Sequence, residues 1–134
     1  KLARELGVAD RVTFTGRVRD EQLRAHLTGA TAFVIASIAE LQSIATMEAM
    51  ASGLPILAAD AMALPHLVHH GENGYLFQPG NDRELADRIT QVLTATREQY
   101  SAMQQHSLEA VKVHDLDRTL DTFEALYRGE TPAK

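Results

Sequence analysis

Ala32-Phe33-Val34-Ile35, Ser43-Ile44-Ala45-Thr46-Met47-Glu48-Ala49-Met50-Ala51-Ser52-Gly53 and Pro55-Ile56-Leu57-Ala58 follow one another within residues 32–58. The first is a continuous apolar run, the pattern of a strand buried on both faces. In the second, Ser43 stands where an N-cap belongs and Gly53 where a helix stops, predicting a helix over Ile44 to Ala51. The third begins another buried strand. A strand, a helical crossover and a further strand make a parallel pair with helices on its faces.

The flanks extend the same alternation. Leu2, Arg4, Glu5 and Leu6 read as the end of an amphipathic helix, with Gly7 as its left-handed cap. Val12-Thr13-Phe14-Thr15 is alternating and β-branched, which predicts a strand stopped by Gly16. Asp20 is placed to cap a helix that turns Leu23 and Leu27 inward and ends near Gly29. Downstream, Pro65 opens a short helix through Val68, and a turn from Gly71 to Gly74 precedes the strand Tyr75-Leu76-Phe77. Pro79-Gly80-Asn81-Asp82 caps an amphipathic helix with Leu85, Ile89, Val92 and Leu93 on one face. Helices around Arg97 to Ala110 and Leu116 to Tyr127 follow, and the tail Gly129 to Lys134 is expected to fray. The fold class is therefore α/β, with a parallel sheet of about four strands.

The 134 residues suffice for one domain with a real core, and 45% hydrophobic with 23% charged residues is ordinary globular composition. A net charge of −5, with no basic run or stripe, argues against a nucleic-acid groove or an anionic membrane surface. The absence of cysteine excludes disulfides, thiolate zinc sites and cysteine nucleophiles. It also fits a cytoplasmic setting. The longest apolar-and-small run, Ala32 to Ala39, is too short to span a bilayer. No dinucleotide fingerprint, Walker loop or nucleophile elbow is present.

From Thr28 to Ala59 the only formally charged residues are Glu40 and Glu48. Glu40 falls a few residues beyond the strand Phe33-Val34-Ile35, at the edge where parallel sheets bind ligands. The helix opening at Ser43 aims free N–H groups and the positive end of its dipole at the same crevice, which suits a phosphate. On a helical wheel Glu48 falls between Ile44 and Ala45, among apolar neighbours. Buried there, its carboxylate would need hydrogen-bond donors, and the hydroxyls of a ribose or a sugar would supply them. A backbone group to cap, or an arginine to pair with, would serve Glu48 as well, and spacing does not choose between these readings.

The whole segment Glu40 to Pro55 resembles the Glu-x7-Glu signature of retaining GT-B glycosyltransferases, with the Glu-Ala-Met-Ala-x-Gly-x-Pro continuation at Glu48 to Pro55. Val12 to Val18 is similar to that family's strand and base-binding turn. His70 to Phe77 and Pro79-Gly80-Asn81 resemble its later turn, strand and helix start, and Asp117 to Tyr127 its terminal helix. The resemblance implies a Rossmann-like, three-layer α/β/α donor-binding domain, with 1–134 as the C-terminal part. It also implies that the acceptor-binding N-terminal domain and this domain's first two strands lie outside the chain. The implied reaction moves a hexosyl group from a nucleotide-diphosphate sugar, UDP- or GDP-linked, to an acceptor hydroxyl on a glycan, lipid or small molecule. In that scheme Glu40 is the catalytic residue holding the donor sugar. The backbone of Leu41, Gln42, Ser43 and Ile44 faces sugar and diphosphate, and Glu48 accepts from the ribose. Arg17 and Val18 meet the nucleobase, and Leu23 packs either beside the base or in the core. No cofactor or metal is implied.

The chain departs from the family at Leu41-Gln42-Ser43, where many members have a Gly-rich turn. It departs again at Ala61-Met62-Ala63 and Pro65-His66, where many have Gly-Gly and Pro-Glu. Two consequences of the missing parts are expected: little or no transferase activity from these 134 residues alone, and exposed strand edges that lead the chain either to close the gap between Val12-Phe14 and Phe33-Ile35 or to self-associate through it. In the full-length protein, association with a membrane is compatible with the cytoplasmic setting. The rival of another class is a non-catalytic nucleotide- or sugar-binding module on the same scaffold. His66, His69 and His70 have spacing that could hold a metal, but the polar surface of a short helix and turn is the favoured reading. His26, His106 and His114 are isolated and read as surface or satisfied core residues.

Overall fold

The computed structural model describes residues 1–130, so most of the tail expected to fray (residues 131–134) lies outside the described residues. The elements in chain order are α1 (Leu2–Glu5), α2 (Asp20–Gly29), β1 (Phe33–Ile35), α3 (Ile44–Ala51), β2 (Ile56–Ala59) and α4 (Leu64–Leu67). They are followed by β3 (Gly74–Phe77), α5 (Asp82–Leu93), α6 (Arg97–Val111) and α7 (Leu116–Tyr127). The three strands form one parallel sheet in the order β1-β2-β3, in register Phe33 with Ile56 and Ile56 with Gly74.

Every residue of β2 is buried, because helices cover both of its faces. On one face Ile56 and Ala58 pack with Ala49 and Met50 of α3, Leu64 and Leu67 of α4 and Leu27 of α2, and Leu23 joins this core. On the other, Leu57 packs with Val92 of α5 and Met103 of α6, and Tyr75 and Ile89 complete the cluster. The architecture is the expected three-layer α/β/α.

Two buried polar side chains brace the amino ends of the strands, Ser107 from α6 and Asn73 in the turn before β3. The Ser107 hydroxyl donates to the Leu54 carbonyl at 2.7 Å. Asn73 donates from Nδ2 to the Leu67 carbonyl at 3.0 Å and accepts at Oδ1 from the His69 N–H at 2.8 Å. Tyr100 fixes the other end of α6 by donating to the Thr31 carbonyl at 2.8 Å. Burial raises the phenol's pKa, so this contact favours the neutral ring.

The structure corrects several expectations. Among the described residues the sheet has three strands, not about four: Val12 to Thr15 pairs with none of them, and Phe14 is 83% exposed. Alternation equips a segment for pairing, but a strand exists only where a neighbour offers a ladder. The chain does not close the β1 edge onto Val12 to Thr15. Strand β1 is covered on one face only; Phe33 and Ile35 are partly buried, whereas Val34 is 43% exposed. Asp20 is the first residue of α2 and not its cap; the Gln22 side chain instead accepts from the Arg19 N–H at 3.1 Å. Leu93, at the last turn of α5, points to solvent.

Gly74 sets the closest approach between strands. At its φ of +151° a Cβ would lie 1.8 Å from the Ile56 carbonyl oxygen. That neighbour is backbone of the central strand and cannot move aside without breaking the β2–β3 ladder. Gly74→Ala is expected to lower the unfolding free energy by at least ~3 kcal/mol in urea titrations. Gly80→Ala has a φ of +80° but open space around the added methyl, and should cost only about 1 kcal/mol.

Candidate functional site

The carboxyl ends of β1 and β2 carry the segments Ala36 to Ser43 and Asp60 to Ala63, and one bond joins them. The Ala63 N–H donates to the Glu40 carbonyl at 3.1 Å. Helix α3 begins on this edge. The buried Ser43 hydroxyl accepts from the Thr46 N–H at 3.4 Å and from the Thr46 hydroxyl at 2.8 Å, so Ser43 is the N-cap that its sequence position predicts. No intramolecular acceptor meets the N–H groups of Ile44 and Ala45 among the described residues. At the far end Gly53, at φ +73°, closes the helix: its N–H bonds the Met50 carbonyl at 2.9 Å and the Leu54 N–H bonds Ala49 at 3.1 Å.

Thr46, Ala49 and Met50 form the buried face of α3, and Ile44, Ala45 and Glu48 the open one. Glu48 is thus exposed, contrary to the burial read from the wheel. The wheel of a helix rich in Ala and Met does not reveal which side its neighbours cover. Glu40 is partly buried. Neither carboxylate meets a cation or an internal donor among the described residues, so the cap and ion-pair readings of Glu48 find no partner.

An open groove of about 350 Å³ runs along the exposed side of α3. Gln42, Ile44 and Glu48 line it from α3 and its approach, with Met47 between them. His114, in the 3-10 turn Lys112–His114, and Thr119, in the first turn of α7, form its opposite wall. Those two residues carried no signal in the sequence, because only the α6–α7 bend brings them to the groove. Leu41 is 84% exposed beside Glu40. Arg17 is exposed and Val18 partly buried in the loop before α2, with no hydrogen bond or ion pair linking either to residues 40–48 among the described residues.

The other end of the same edge is organised by Glu84. It accepts from the Gln78 N–H at 2.8 Å, and Arg88 lies 3.2 Å from its second oxygen while stacking 5.6 Å from the Tyr75 ring centre. His70 presents Nδ1 to the Leu76 N–H at 3.1 Å, occupying a donor on the outer edge of β3. His69 lies 3.6 Å from Glu72 on an exposed turn. Among the described residues no three His, Cys, Asp or Glu side chains cluster as a metal site would require.

A parallel sheet with helices on both faces, a capped helix N-terminus and two carboxylates without an internal partner at its carboxyl edge has the layout at which open α/β sheets bind ligands. Residues 1–109 match the family described as Glycosyl transferases group 1, and the chain belongs to that family. It is 40% identical over 99 residues to MMP alpha-(1->4)-mannosyltransferase of Mycolicibacterium hassiacum, a match covering 73% of this chain and 24% of that protein. Among solved structures it resembles sucrose-phosphate synthase from Thermosynechococcus elongatus, with a TM-score of 0.86 and 29% identity over 96% of this chain and 32% of that one. It also resembles Anabaena Alr3699/HepE in complex with UDP-glucose, with a TM-score of 0.79 and 26% identity over 92% of this chain and 35% of that one. The chain therefore spans only about a quarter to a third of the length of these proteins.

The Gln78 bond, reinforced by Arg88, holds the Glu84 carboxyl below its ordinary value of 4.5. A depressed folded-state value means that its stabilising effect is complete above about pH 4.5 and is lost as pH falls through the folded value. NMR titration should find Glu84 ionising below ordinary glutamates. In Glu84→Gln, the acid end of the pH–stability profile should flatten.

Proposed function

We propose that the chain is the donor-binding part of a retaining glycosyltransferase. It would serve transfer of a hexosyl group from a UDP- or GDP-linked sugar to an acceptor hydroxyl. Membership of the Glycosyl transferases group 1 family supports a glycosyltransferase role, and the carboxyl edge of the sheet is where its donor would lie. The carrying observation is the open N-terminus of α3 between two carboxylates that have no internal partner. In this reading the N–H groups of Ile44 and Ala45, with the backbone of Leu41 to Ser43, face the diphosphate and the sugar. Negative charge builds on the diphosphate as the glycosidic bond breaks. Fixed amides and the positive end of the α3 dipole stabilise that charge without having to reorient.

Glu40 is the catalytic residue, orienting the sugar through its hydroxyls. Glu48 accepts from the ribose, and its exposure helps, because a side chain on the open face of α3 can meet a ligand without any movement of the helix. The backbone at Arg17 and Val18 takes the nucleobase edge. The 1–134 segment would be the C-terminal donor domain, with the acceptor held by residues outside it. The UDP-glucose complex of the Anabaena protein supports a nucleotide sugar as ligand.

Calorimetry on the full-length polypeptide with UDP, GDP and ADP and their sugars tests this reading. One nucleoside diphosphate should bind, with its sugar conjugate. A hydrogen bond to a charged group contributes about 1.5–3 kcal/mol, so Glu48→Ala should weaken nucleotide binding roughly 10- to 100-fold. Unchanged affinity in that variant would remove the ribose role from Glu48.

A further inference from the structure

Met62 is the only non-glycine residue with a positive φ (+52°) among the described residues. An L side chain in this region is strained, and such strain persists only where the surroundings fix the backbone. Here they do so on both sides. The Asp60 N–H is bonded to the Phe77 carbonyl at 2.8 Å and the Ala61 N–H to the Ala59 carbonyl at 2.8 Å. Beyond Met62, the Ala63 N–H is bonded to the Glu40 carbonyl, and Leu64 is fully buried in the core. Met62 thus projects from a clamped turn, one residue from the bond that ties this turn to Glu40. Its side chain is 57% exposed, so core packing does not account for a methionine at a position suited to glycine.

Three other large apolar side chains are exposed on the same edge: Ile38 at 63%, Leu41 at 84% and Ile44 at 65%. All stand within four residues of Glu40. Apolar side chains grouped around a partly buried carboxylate suit a ligand with hydroxyls on its rim and C–H groups on its faces, and a pyranose is such a ligand.

We infer that Met62 is a sugar-contacting specificity residue, packing its flexible thioether against the C–H face of the hexose whose hydroxyls Glu40 holds. The inference rests on the donor-site reading above. Because Met62 acts on the sugar alone, its removal separates the affinity for the sugar nucleotide from that for the bare nucleoside diphosphate.

The test is calorimetry on the full-length polypeptide and its Met62→Gly and Met62→Leu variants, with the preferred nucleoside diphosphate and its hexose conjugate. Met62→Gly relieves the backbone strain, so a thermal midpoint at or above the parent's shows that it is folded. It should leave the Kd for the diphosphate within twofold and weaken the hexose conjugate at least threefold, while Met62→Leu stays within twofold for both. Equal Kd changes for both ligands, or no change for either, would overturn the assignment. If the parent binds neither ligand, the donor reading itself fails, and this assignment with it.

Discussion

The architecture depends on β2 being a central strand that two neighbours can approach closely. All four of its residues are buried, and its backbone pairs with β1 on one side and β3 on the other. The approach of β3 is possible because Gly74 places no side chain against the Ile56 carbonyl. The same carbonyl-rich end is held from below, where the Asn73 carbonyl receives the Ile56 N–H at 3.0 Å and the Ser107 hydroxyl donates to Leu54. With the amino ends so fixed, the strands end in a set register at their carboxyl edge. The loops after β1 and β2 then emerge side by side, and the Ala63–Glu40 bond follows from that adjacency.

Helix α3 decides which polar groups this edge presents. It has only eight residues, too few to persist alone, and its two ends are defined by side chain and backbone rather than by length. Ser43 takes one of the N-terminal amides, and the turn at Gly53 satisfies carbonyls at the other end. One face packs on Ile56 and Ala58, which leaves Ile44, Ala45 and Glu48 facing out. The direction of the dipole, the free amides and the outward placement of Glu48 are therefore consequences of how α3 docks on the sheet.

Most helix ends and the central strand β2 were legible in the sequence, because capping residues and continuous apolar runs act locally, although the cap of α2 is taken over by Gln22 rather than Asp20. Ser43, Gly53, Asn81 and Gly7 all take the roles that their positions predict. What failed was whatever depends on a neighbour. Val12 to Thr15 has a strand's pattern but no partner, Val34 lies on an uncovered face, and Leu93 sits past the last contact of α5. The Glu48 carboxylate failed for the same reason: its exposure is decided by the side of α3 that α6 and the sheet leave open. Glu40 and Glu48 could be found by their isolation among apolar residues. His114 and Met62 could not, since a chain bend brings one to the groove and a backbone dihedral distinguishes the other.

Exposed apolar side chains occur in two settings on this molecule, and the physical difference between them matters. On α7, Leu116, Leu120, Phe123 and Leu126 form a stripe on a helix joined to the body through a single 3-10 turn at Lys112–His114. That stripe has no carboxylate fixed by the sheet among its members. On the carboxyl edge, Ile38, Leu41 and Ile44 stand within four residues of Glu40, and Met62 lies one residue from the bond between Ala63 and the Glu40 carbonyl. An apolar stripe alone carries no chemical selectivity, whereas apolar groups held around an acceptor discriminate ligands by where their hydroxyls and C–H groups fall. Rigidity separates the two as well, because a strained dihedral such as that of Met62 survives only on a backbone that cannot relax. The strain at Met62 is thus itself a sign that the carboxyl edge is held in one arrangement before any ligand binds.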